Sequence, residues 1–102
     1  LPERQIVPMA RVQLARDAAM ARTVLAARQP GKTVLLIAGN GHVDRQLGVP
    51  THLGRDVRAN ALVLVPASAS AGGRQAADAL WMTPTLPPKD YCAELKTPAP
   101  AR

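Results

Sequence analysis

The run Gly39-Asn40-Gly41-His42-Val43-Asp44 carries most of the chemistry this chain can offer, and it closes the apolar stretch Thr33 to Ala38. His42 is one of two histidines. An imidazole can bind a metal, move a proton or pair with a carboxylate near neutral pH. The glycines flanking Asn40 let backbone approach a ligand closely. In open α/β sheets ligands bind beyond the carboxyl ends of strands, which is where this run falls. A histidine that only hydrogen-bonds its own turn fits the same residues, and the sequence leaves the two readings level.

The companion question is the strip Gln13, Asp17 and Met20, which follows helical spacing beside an alanine-rich stripe. A carboxylate beside such a stripe is costly to bury unless it is paired. Arg16 is adjacent in sequence but points about 100° away on a helix. Two partners for Asp17 stay open. One is the His42 loop, where the carboxylate would fix an imidazole tautomer; the other is an arginine on a neighbouring element.

Other chemistry-bearing residues carry less. His42, Asp44, His52 and Asp56 match no zinc spacing, and His52 and Asp56 read as surface polar groups. Pro30-Gly31-Lys32-Thr33 lacks the leading glycine of a phosphate loop, with Ala26 in its place, and it leaves a helix to enter a strand instead of the reverse. Gly39-x-Gly41 has Asp44 where a dinucleotide fingerprint wants its third glycine. Cys92 is the single cysteine and reads as a quiet thiol. Tyr91 beside it could bind ferric haem iron, though packing is the commoner role of a lone tyrosine.

The elements that must position these groups follow from pattern. Met9 to Arg28 predicts a helix, with Leu14, Ala18, Ala21 and Leu25 as its apolar stripe, after an irregular opening bracketed by Pro2 and Pro8. Pro30-Gly31 stops it. Thr33 to Ala38 predicts a central strand covered on both faces, Ala61 to Val65 a second strand, and Ala79 to Thr83 a third, with a helix over Gln75 to Leu80 as the alternative. Pro50 can open a short helix through about Arg58. Ser68 to Gly73 predicts a flexible loop, and the proline-rich residues 84–102 a tail. The order points to an α/β fold: a small, mostly parallel sheet flanked by helices.

Composition bounds the rest. A chain of 102 residues is one domain at most. Hydrophobic residues make up 47% but aromatics only 2%, so Ala, Val and Leu must fill any core, and a partner chain, a missing segment or a cofactor could supply what it lacks. The net charge of +6 is mainly arginine. Those arginines lie at scattered helix angles, and only Trp81 and Tyr91 could stack on bases, so a solvated or acid-pairing surface is favoured over nucleic acid. No apolar run approaches the roughly 18 residues of a membrane span. The chain starts at Leu1 without methionine and predicts a processed or truncated piece.

Residues Val12 to Leu53 resemble the ChaN-like family of iron-regulated, haem-binding lipoproteins. The resemblance runs through Gln13, Arg16, Asp17, Met20 and Ala21, then Gly39 to Val43, then Gly48-Val49-Pro50. A tryptophan in a late strand before proline-rich sequence and Asp90-Tyr91-Cys92 extends it. The resemblance implies the C-terminal half of a domain whose fold is similar to that of erythromycin-esterase-like proteins. It divides the chain into a partial haem-binding domain over residues 1–83 and the tail. It implies haem as cofactor, a homo-oligomer, and a lipid anchor on the periplasmic side of a bacterial cell envelope. On this resemblance His42 binds iron or the ligating group, and Asn40 and Gly41 shape the pocket. Gln13 and Asp17 orient His42, Met20 packs on the porphyrin edge or the loop, and Arg16 or another arginine meets a propionate.

Two rivals come from other classes. A hydrolase of the erythromycin-esterase-like kind would use His42 as base and Asp17 to orient it, although no serine nucleophile elbow is present. A scaffold without any ligand would have the alanine-rich helix simply pack on strands.

Overall fold

A 25-residue helix, α1 (Glu3–Ala27), opens the fold. It begins six residues before the expected start. Pro2 occupies the N-cap, where a missing N–H costs nothing, and the Gln5 amide donates to its carbonyl at 2.8 Å. Pro8 lies inside α1. It removes one hydrogen bond near the end, and the alanine, arginine and leucine that follow favour helix strongly enough to carry the chain through. Arg28 turns extended and Gly31 takes a φ of +71°, so Pro30-Gly31 does end the helix. The structure is a computed structural model and describes residues 2–67 and 76–96.

Thr33 to Ala38 runs extended but is not the doubly covered central strand expected. Among the described residues it makes no main-chain hydrogen bond to another strand. Val34, Leu36 and Ala38 are half-buried, whereas Leu35 and Ile37 are 81% and 87% exposed. An apolar run is buried on both faces only where flanking strands and two layers exist. Among the described residues the sheet has two strands: β1 (Leu62–Pro66) and β2 (Ala79–Thr83) pair in parallel, with Leu62 opposite Ala79 and Leu64 opposite Trp81. The helical alternative near Leu80 gives way to β2. The expected loop Ser68 to Gly73 lies outside the described residues.

The segment after Ala38 folds into a single helical turn, α2 (Asn40–Val43), and not an open loop. Pro50 opens only a 3₁₀ turn, Val49–His52, because Gly54 at φ +84° breaks the chain away well before Arg58. Ala21, Val49 and Leu53 form the core, with Met20, Val24 and Leu36 packed against them. Few and mostly small side chains are buried there, so at ~25 cal/mol per Å² of apolar surface this core stabilises the fold only modestly. The packed face of α1 centres on Asp17 and Ala21, so Leu14, expected on the buried stripe, is mostly exposed. Residues 84–92 are exposed and a short helix, α3 (Ala93–Lys96), follows. Among the described residues no helix is long and apolar enough to cross a membrane.

Candidate ligand site at His42

Helix α1 presents Ala10, Gln13, Leu14 and Asp17 along one face, because residues three and four apart share a side of a helix. Helical turn α2 closes against that face. Asn40 anchors the turn, its side-chain amide donating to the Leu64 carbonyl of β1 at 3.4 Å. The recess between them, about 620 Å³, is lined by those four α1 residues together with Gly39, Asn40, Gly41, His42 and Leu47.

Asp17 is 4% exposed, and His42 Nδ1 lies 2.6 Å from its Oδ1. Of the two partners open for Asp17, the imidazole is the one it meets. An ionised carboxylate only accepts hydrogen bonds, so Nδ1 is the donor, and in the neutral imidazole the Nε2 lone pair is then available. The buried carboxylate thereby fixes both the tautomer and the plane of the ring. The ring itself stays partly open, its side chain 25% exposed.

Gln13, Asp17, Asn40, Gly41 and His42 thus come together around one recess. Two other sequence candidates do not join them. Met20 packs into the core beside Ala21, and Arg16 is exposed on α1 and lines no part of the recess. The physical reason is helix rotation: Arg16 sits about 100° from Asp17, and Met20 lies a turn further toward the packed end. Cys92 is free and exposed, and Lys89 Nζ sits 5.2 Å from the centre of the Tyr91 ring.

Three residues matter here for reasons the sequence did not disclose. Gly48, expected as turn geometry, passes directly beneath α2; a Cβ on it would come within 2.1 Å of the His42 carbonyl oxygen and 2.8 Å of that of Gly41. Asp44, weighed as a metal ligand, is a buried clamp. Its Oδ1 accepts from the Gln46 and Leu47 amides at 2.8 and 3.0 Å, and its Oδ2 from Ala76 at 3.1 Å. The Gln46 and Ala76 amides, with that of Leu47 adding to them, hold its carboxyl below the usual range against the opposing effect of burial. Arg45 then ties the loop to the sheet, donating to the Ala59 carbonyl at 2.6 Å and to Asp78 Oδ2 at 2.9 Å. Asp78 also accepts from the Ala61 amide at 2.7 Å. That amide and, after it, the guanidinium of Arg45 keep its carboxyl below its ordinary value, with burial opposing. An aspartate two residues before its amide partners is a recognisable turn signal, but the reach of Asp44 to Ala76 spans distant sequence.

Among the described residues no three His, Cys, Asp or Glu side chains converge. A bare metal ion would find too few donors there. Haem iron brings its own ring of nitrogens and asks the protein for an axial ligand only. One imidazole held by a carboxylate, beside a recess within the ~300–1,000 Å³ range of small-molecule sites, fits that demand. Among the described residues the lining holds no serine or cysteine, and Asp17 is its one carboxylate.

Helices together with two parallel strands give a small α/β fold. The sequence profile of a haem-binding uptake family, described as Tiki superfamily, ChaN, matches residues 1–53. The chain belongs to that family. The match contains every residue lining the His42 recess. No curated protein and no solved structure matches the chain.

Proposed function

We propose that this chain binds haem for uptake and does so without catalysing a reaction, with His42 as the group that meets the iron or its ligand. The observation that carries the reading is the 2.6 Å contact between His42 Nδ1 and Asp17 Oδ1. A carboxylate behind a histidine is the usual way to orient an imidazole toward a metal and raise its basicity. Haem would supply an iron that an imidazole nitrogen can bind, and His42 is the residue that would hold it. The chain's own residues do the rest. Asp17 holds the Nδ1 proton, which leaves Nε2 as the donor atom. Leu14 and Leu47 give apolar contact, Gly41 adds no side chain to the wall, and Gln13 contributes an amide beside the ring.

The family and its resemblances extend the proposal to the setting: a bacterial cell envelope, on its periplasmic side, with a lipid anchor carried outside these residues and a homodimer as the working unit. The test is a haemin titration followed at the Soret band for wild type, His42→Ala and Asp17→Asn. A shifted, saturable band that is lost in His42→Ala and altered in Asp17→Asn is expected. An identical band and affinity in all three would remove His42 from the site.

A further inference from the structure

A second cavity, about 730 Å³, lies apart from the His42 ring, between the extended run Thr33 to Ala38 and the approach to β1. Its walls are apolar, formed by Leu36, Ile37, Val57, Leu62 and Leu64 among others. The direction of the two walls is set by one contact. Asn40, just past Ala38, donates to the Leu64 carbonyl, so the carboxyl ends of the two segments converge. Both walls are extended, so counting back six residues from Ala38 and from Leu64 sets Lys32 and Arg58 toward the opposite end, and Arg28 precedes Lys32 across the Pro30-Gly31 turn. All three cations line the cavity, and no acidic side chain does. Among the described residues the ion pairs are His42–Asp17 and Arg45–Asp78, so none of these three cations is in one.

The result is a groove roughly 20 Å long at ~3.3 Å per extended residue, positive at one end and greasy along its length. Exposed apolar patches of this kind mark interaction sites, and the one-ended charge restricts what can lie in this one. We propose that the groove binds a free single-chain amphiphile with a carboxylate head, a fatty-acid-like anion: the head at Arg28, Lys32 and Arg58, and the tail along Leu36, Ile37, Leu62 and Leu64. A neutral apolar guest would leave the cations unused. A cationic amphiphile would meet repulsion from the three cations at that end.

The probe is laurate, titrated calorimetrically into the intact chain below its aggregation concentration. Acetate serves as head without tail, and dodecyltrimethylammonium as the same tail with the opposite charge. Saturable laurate binding is expected, with no acetate binding and the cationic amphiphile at least about tenfold weaker. Replacing all three cations (Arg28→Gln, Lys32→Gln, Arg58→Gln) should weaken laurate on the order of tenfold, since exposed charges contribute modestly each. Ile37→Glu, at a side chain mostly open to solvent, should abolish it without unfolding the chain, as circular dichroism would verify. Equal binding of the cationic amphiphile, or indifference of laurate to either variant, would overturn the proposal. So would sedimentation showing a second copy closing the groove while laurate fails to bind. Haemin is read separately at the Soret band: laurate binding without a haemin response leaves this groove standing and sinks the His42 reading alone.

Discussion

Gly48 lies directly against the carbonyl of His42, so near that a methyl group on it would stand 2.1 Å from that oxygen. The contact is backbone against backbone, and no flexible side chain can yield. Gly48→Ala is therefore expected to push α2 away from the Val49–His52 turn and destabilise the chain by about 1–3 kcal/mol, the range of core overpacking. Gly41→Ala is the control: a Cβ there meets nothing within 4 Å, and helix propensity makes it neutral or slightly stabilising. Urea midpoints of the two variants should move in different directions or by clearly different amounts.

His42→Ala strips the buried Asp17 carboxylate of the only hydrogen-bond partner it has among the described residues. The expected loss is about 1–3 kcal/mol, the desolvation cost of an orphaned polar group. Asp17→Ala in the same background should cost far less than it does alone, because the stranded charge is then gone. A double-mutant cycle by denaturant melts measures this coupling; strict additivity would mean that the pair contributes nothing to the fold.

Acid should loosen the clamp behind the site. Asp44 and Asp78 both hold folded pKa values below the ordinary carboxylate value of ~3.9. Their contribution is therefore complete above that value and disappears as pH falls through the lower folded values. Asp44→Asn should lower the urea midpoint at neutral pH, and the gap from wild type should narrow as the solution is acidified below about pH 4. A gap that stays constant would show that the three amides do not stabilise the charged form.

The alternation along Thr33 to Ala38 makes a contrast between neighbours. Leu36 packs on the core, while Leu35 is mostly in solvent. Leu36→Ala should cost an amount near or below the low end of the ~2–5 kcal/mol seen for buried leucines. Leu35→Thr should stay within about ±0.5 kcal/mol. Thermal melts read both, and similar losses would mean that the segment is covered on its outer face in solution.

Legibility followed the range of the forces involved. The helix over Met9 to Ala27, its stop at Pro30-Gly31 and the strands near Ala61 and Ala79 were readable because periodicity, proline geometry and β-branched runs act over a few residues. The proximity of Gln13, Asp17 and His42 was open to inference from the cost of burying a carboxylate, though an arginine answered the same demand equally well. Pro8 misled in the other direction, since one lost hydrogen bond near a helix end does not outweigh the propensity around it.

By itself, then, the sequence determined the α1 face that carries Gln13 and Asp17 and the placement of an imidazole just after an apolar run. Only the tertiary structure decided that Asp17 meets His42 rather than an arginine, that Gly48 must be bare because another backbone passes over it, and that Asp44 reaches Ala76. It also decided that Thr33 to Ala38 lies open along one side. Each of these depends on where segments distant in the chain come to rest, and neither side-chain identity nor local spacing encodes that until burial and hydrogen bonding between the segments are satisfied together.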